Sequence, residues 1–206
     1  MLPVQEAFSI FAVMNKIFHD NFDKMDELSE KKVPFFFMVD FLMNHVEIYL
    51  DNEIEKKGLS IDFQNFRTDF QKDYKKDDFL WKTYPESKES YQKGFDFVQK
   101  NLKLGNSYLA NYTRKTEIET DLTLEEIFAH SKAKYKVLKK NQFVFFSPET
   151  FVEINNSRIF THPMKGTIEA SKENAARILK QDVKEKAEHY TVVDLLRNDL
   201  SMVADE

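Results

Sequence analysis

The sequence predicts an α+β fold, and three observations carry that expectation. Apolar residues recur at steps of three and four in several long stretches, the period of helices with one buried face. Between those stretches stand short runs rich in Phe, Val, Ile and Tyr that face each other across turn residues, as antiparallel hairpins do. The 206-residue chain contains only four glycines, which argues against an all-β barrel.

The elements follow in order. Residues from about Val4 to Lys31 read as a helix, with Phe8, Phe11, Met14, Ile17 and Phe18 on its apolar positions. Pro34 ends that pattern. Phe35 to Phe41 and Val46 to Leu50 read as a hairpin turning at Met43-Asn44-His45. Asp51 to Lys88 has no firm period and reads as loop with short elements. Ser87 to Leu104 is a helix with Tyr91, Phe95, Val98 and Leu102 on one face, and Gly105-Asn106 is its stop signal. Ser107 to Ile118 reads as a long strand. Thr123 followed by Glu126 is a capping box opening a helix from Leu124 to Lys134. Phe143 to Phe146 reads as a short buried strand. Phe151 to Ile154 and Arg158 to His162 form a hairpin at Asn155-Asn156. Two helices close the sequence, Lys172 to Lys180 and Asp182 to Val203.

Composition narrows the function. A hydrophobic fraction of 42% with 20 Phe belongs to a globular chain with a core. A net charge of −5 argues against a nucleic-acid partner held through phosphates. Without cysteine there can be neither disulfides nor Cys-type zinc sites, which suits a reducing compartment. The apolar runs are too short to span a bilayer, and the start lacks a basic leader, so no membrane association and a cytoplasmic location are expected.

Three places could carry chemistry. Lys165 stands in His162-Pro163-Met164-Lys165-Gly166-Thr167, after a predicted strand and before a glycine turn. Desolvation there would free its amine as a nucleophile or base, although an ordinary solvated charge is the commoner fate of a lysine. Glu149 follows Ser147-Pro148 beside an apolar strand, where a carboxylate suits a general acid; a turn glutamate is the plainer reading. Glu185 and Glu188 are three apart in a predicted helix and share a face. Two such carboxylates could hold Mg²⁺, whereas Lys184 and Lys186 alongside suggest a solvated charged face. Asp194, Arg197, Asn198 and Asp199 read as an internal salt-bridge and capping network.

Taken together, four ordered segments resemble the chorismate-binding enzymes. They are Gly105-Asn106-Ser107-Tyr108-Leu109-Ala110-Asn111-Tyr112-Thr113, Ser147-Pro148-Glu149, Pro163-Met164-Lys165-Gly166-Thr167, and Lys186-Ala187-Glu188-His189 running on to Val203. The family includes anthranilate synthase component I, aminodeoxychorismate synthase component I, isochorismate synthase and salicylate synthase. The resemblance is nearest to aminodeoxychorismate synthase component I, whose P-I-K-G-T lysine is matched by Lys165. Anthranilate synthases usually carry alanine there. Leu109 stands where isochorismate and salicylate synthases have a water-activating lysine, and a leucine cannot deprotonate water.

The resemblance implies roles. Lys165 would be the nucleophile and Glu149 the general acid/base. Gly166 and Thr167 would line the substrate, and Glu188 with Glu185 would ligate Mg²⁺. It implies a chorismate substrate and ammonia supplied by a glutamine amidotransferase subunit. It also implies a sandwich of two antiparallel sheets with outer helices, of which this chain would supply the N-terminal part. Residues 1–85 would form a helix-and-hairpin region and residues 86–206 the first part of a chorismate-binding domain, truncated before a second metal-binding glutamate. Departures are His162 for an arginine, Ile168-Glu169-Ala170-Ser171 for a more basic continuation, and Leu109 for the glutamine of many amino-forming members. Anthranilate synthase-like chemistry and a non-catalytic assembly module stand as the alternatives.

Overall fold

A computed structural model describes residues 19–70 and 78–204. The chain divides into two compact units, one of residues 1–70 with 132–206 and one of residues 71–131. The class is α+β: six helices and four small antiparallel sheets among the described residues.

The first unit opens with helix α1, residues 19–30, which buries Met25. Positions 4–18 of the predicted helix lie outside the described residues. Strands β1 (Phe35–Val39) and β2 (Val46–Leu50) form the predicted hairpin, in register from Phe35 opposite Leu50 to Val39 opposite Val46. Asp40 fixes the turn: its Oδ1 accepts the His45 N–H at 2.8 Å, and Met43 takes the left-handed conformation. A short helix α2 (Asp51–Ile54), with a 3₁₀ turn over Glu55–Lys57, buries Ile54 and stops at Gly58.

The second sheet has the order β3-β6-β7, with β3 Leu59–Asp62, β6 Tyr135–Lys139 and β7 Phe143–Ser147. The middle strand β6 went unread in the sequence, which extended the preceding helix to Lys134 instead. Its run Tyr-Lys-Val-Leu-Lys carries cations where a central strand is expected to be apolar. The structure pairs both: Lys136 lies 3.5 Å from Asp62, opposite it on β3, and Lys139 lies 2.7 Å from Glu47 on β2. Val137 is fully buried, and with Tyr49, Ile54, Leu59 and Ile61 it forms the core. Phe36, Met38 and Phe63 pack against that core. Strand β7 is where the sequence placed it but is not buried: Phe143, Phe145 and Phe146 are all more than a third exposed. One edge of β7 has β6 as its partner, and no second described strand covers the other.

Further along this unit, β8 (Glu153–Asn155) and β9 (Arg158–Phe160) close on Asn156 and Ser157, both with positive φ, the backbone of a tight two-residue hairpin turn. Helices α5 (Ala175–Gln181) and α6 (Val183–Leu200) follow, separated by Asp182.

The second unit pairs β4 (Trp81–Tyr84) with β5 (Glu117–Thr120). Helix α3 (Lys88–Lys103) is capped by Ser87, whose hydroxyl accepts the Ser90 N–H at 3.2 Å. The predicted capping box is present: Thr123 and Glu126 bond each other's backbone N–H at the start of α4 (Leu124–His130). The long strand predicted from Ser107 to Ile118 is a correction, because residues 107–116 have no ladder partner and only Glu117–Thr120 is strand. That segment is tied instead by side chains. Tyr112 lies so close to Gly94 of α3 that no Cβ would fit there, and Arg114 Nη2 donates to Glu86 Oε2 at 2.8 Å. No described helix is long and apolar enough to cross a membrane.

Candidate functional site

All six residues singled out in the sequence fall in the first unit, on three successive pieces of chain. Glu149 follows β7. Lys165, Gly166 and Thr167 lie on the irregular segment after β9. Glu185 and Glu188 lie in the first two turns of α6.

Each end of the lysine segment is held. On one side Glu149 Oε1 accepts the Met164 N–H at 3.2 Å, which places this half-buried carboxylate next to the residue preceding Lys165. Glu149 is itself set by Ser147, whose Oγ accepts the Glu149 N–H at 3.2 Å. On the other side Gly166, with φ of 75°, approaches α6 so closely that a Cβ there would stand 2.8 Å from Glu185 Oε2. Only a residue without a side chain combines that backbone with that approach. The loop Pro163 to Gly166 therefore spans from Glu149 to Glu185.

Lys165 takes the commoner of the two states open to it. It is exposed rather than desolvated, and its amine makes no ion pair or hydrogen bond among the described residues. It lines a cleft of about 260 Å³ with Leu179, Lys180, Glu185, Lys186, His189 and Tyr190. Thr167 is exposed. His189, to which the sequence reading assigned no distinct role, lines this cleft and also an adjoining one of about 430 Å³ with Thr161, Pro163, Val193, Arg197 and Leu200. The predicted polar network of α6 is present in part: Arg197 Nη2 lies 2.7 Å from Asp194 Oδ1.

Glu185 and Glu188 point toward one place, and it holds the ammonium of Lys184, 3.1 Å from Glu185 Oε1 and 3.1 Å from Glu188 Oε1. The hydrogen bond to Glu188, then that to Glu185, holds the Lys184 ammonium above its ordinary pKa. Two carboxylates one helical turn apart thus converge on a single cation. The donor set fits an oxygen-preferring ion that keeps several waters. No group of three or more His, Asp or Glu able to cage a metal occurs among the described residues.

Comparison with known proteins bears on the family. A family profile described as chorismate binding enzyme matches residues 19–206. The chain belongs to the chorismate-binding enzyme family. It is 41% identical over 189 residues to an uncharacterized PabA-like protein of Pasteurella multocida, covering 91% of this chain and 58% of that protein. It is 31% identical over 132 residues to aminodeoxychorismate synthase component 1 of Escherichia coli, covering 57% of this chain and 29% of that protein. It is 28% identical over 179 residues to anthranilate synthase component 1 of Bacillus subtilis, covering 80% of this chain and 34% of that protein. The chain thus spans just over half the length of its PabA-like relative. No solved structure matches it significantly.

Proposed function

We propose that this chorismate-binding chain carries the nucleophile half of an aminodeoxychorismate synthase component I-like site. The reaction would convert chorismate and ammonia to 4-amino-4-deoxychorismate and water, toward p-aminobenzoate and folate. The observation that carries the reading is the loop Pro163–Gly166, held between Glu149 and Glu185 with the Lys165 amine unpaired. In that arrangement a nucleophile, an acid and two cation-binding carboxylates border one region of the first unit.

In this reading the neutral Lys165 amine adds to C2 of the ring. Both ring double bonds shift, C1=C2 to C1=C6 and C5=C6 to C4=C5, and the C4 hydroxyl leaves as water on a proton from Glu149. Ammonia then adds at C4, returns a proton to Glu149, and the bond to Lys165 breaks. Gly166 and Thr167 border the substrate. Glu188 and Glu185 would hold Mg²⁺, which when bound neutralises the substrate carboxylate and polarises it. Ammonia would come from a glutamine amidotransferase subunit. The two-sheet sandwich belongs to the same reading, and the exposed aromatic residues of β7 are consistent with a strand meant for the interior of a larger sheet. A relative named anthranilate synthase keeps ortho-amination as the nearest alternative, which product analysis separates.

Lys165→Ala decides the covalent step. Incubation with chorismate and Mg²⁺, followed by intact mass, is expected to give a substrate adduct on the wild-type chain and none on the variant. In a full-length protein the same change should slow the amino product by at least a hundredfold, on the order of the loss of an acid–base or nucleophilic group. Unchanged turnover would remove Lys165 from the mechanism. A second reading, a non-catalytic assembly module, draws on the lack of a third metal ligand among the described residues. Calorimetric titration with Mg²⁺ and chorismate separates the two, since the module reading expects no saturable heat.

A further inference from the structure

The carboxylate pair assigned above to a divalent cation already holds a cation of the chain's own. Lys184 sits in the first turn of α6, where the helix field disfavours positive charge. Its position is offset by Glu185 and Glu188, both 3.1 Å from its Nζ. Without that ammonium the two glutamates, three residues apart on one helix face, would repel each other. A lysine is suited to the task because its compact head has three donors and can bond two carboxylates at once. The side chain is also free to leave: Lys184 is 74% exposed, against 24% for Glu185 and 41% for Glu188. The ammonium thus covers the pair from the solvent side, the side from which a hydrated ion would arrive.

We infer that Lys184 is the built-in counter-cation of this site, neutralising Glu185 and Glu188 when no divalent ion is bound and competing with that ion for the same oxygens. The inference rests on the metal reading of Glu185 and Glu188 and adds a regulation of it. Mg²⁺ affinity is set by the difference between holding the metal and holding Lys184. The lysine offsets the repulsion between the two glutamates in the metal-free state and lowers the affinity for the metal.

Calorimetric titration of Mg²⁺ into the whole chain tests this with four proteins: wild type, Lys184→Met, Lys184→Arg and Glu188→Gln. Lys184→Met is expected to bind Mg²⁺ roughly fivefold more tightly, the scale of two exposed ion pairs removed from competition. Lys184→Arg, which keeps the charge, is expected to stay near wild type. Glu188→Gln is expected to lose binding. If Lys184→Met binds no more tightly than wild type while Glu188→Gln loses the metal, the competition is refuted and the metal site stands. If Glu188→Gln binds as wild type does, or if neither wild type nor Lys184→Met gives saturable heat, the metal reading falls and the inference falls with it.

Discussion

Gly166 carries the tightest constraint of any residue in the candidate site. Its φ of 75° is one that L-residues adopt at a cost of about 1–2 kcal/mol, and a Cβ would meet Glu185 Oε2 at 2.8 Å and Leu179 Cδ1 at 3.0 Å. The glutamate end can swing aside, but doing so takes it from Lys184 and from the place proposed for the metal. Gly166→Ala is therefore expected to lower stability by about 1–2 kcal/mol and to weaken Mg²⁺ binding together with it. Thermal unfolding and calorimetry check the two halves, and an unchanged melting temperature would mean the loop has room to relax. At this scale the sequence singled out candidate residues and said little about their surroundings. The strand end and glycine flanking Lys165 left desolvation open beside the commoner solvated state; it is exposed, since burial depends on what packs across from the loop. Glu149 and Glu185 were each legible as candidates. Their meeting on either side of Met164 to Gly166 depends on how β7, β9 and α6 are arranged, which no local spacing encodes.

Among the elements, those with a local cause were readable and those with a remote cause were not. Ser87, Thr123 and Asp182 cap their helices because a short polar side chain can satisfy an otherwise unpaired N–H. The last hairpin was readable too, although it turns at Asn156 and Ser157, one residue later than the expected Asn155-Asn156, because Asn155 pairs with Arg158. By contrast, β6 was invisible because its lysines are neutralised by Asp62 and Glu47, which come from strands far away in sequence. The segment 107–116 looked like a strand but lacks a neighbour to pair with, and Tyr112 and Arg114 tie it to α3 and to Glu86 instead. The α6 cap gives a prediction that links element to site. Asp182 Oδ1 accepts the Glu185 N–H at 2.9 Å, so the cap orders the turn that presents both proposed metal ligands. Asp182→Ala is expected to cost about 1 kcal/mol and to speed amide exchange of residues 183–186 about fivefold. Exchange in the rest of α6 should not change; uniform acceleration along the helix would mean that the cap acts on global stability alone.

At the scale of the whole molecule, the described residues of the first unit show five clustered buried side chains, with a wide apolar groove beside them lined by Phe35 to Val39, Phe63 and Phe143 to Phe145. Polar ties add to that packing. The main one joins Glu47 of β2 to Lys139 of β6 at 2.5 and 2.7 Å, with Tyr49 Oη donating to Glu47 as well. Burial pushes the Glu47 carboxyl up, but the hydrogen bonds from Lys139 and Tyr49 outweigh it and hold the group below its ordinary value of 4.5. The hydrogen bond to Glu47 likewise holds the Lys139 ammonium above its ordinary 10.5. The sign follows from linkage: a carboxyl with a depressed folded-state pKa stabilises fully above pH 4.5, and the contribution is lost as pH falls through the lower folded value. At the alkaline end the lysine's share is present below pH 10.5 and fades above it. Because Glu47 is 40% exposed, solvent screening limits the effect to less than about 1 kcal/mol. Urea unfolding midpoints measured from about pH 3 to pH 6 are expected to fall more steeply on acidification for wild type than for Glu47→Gln, which has no charge to lose. Parallel curves for the two proteins would show that the tie between β2 and β6 contributes no pH-dependent stability, and that the hairpin is held on the core by Tyr49, Phe36 and Met38 alone.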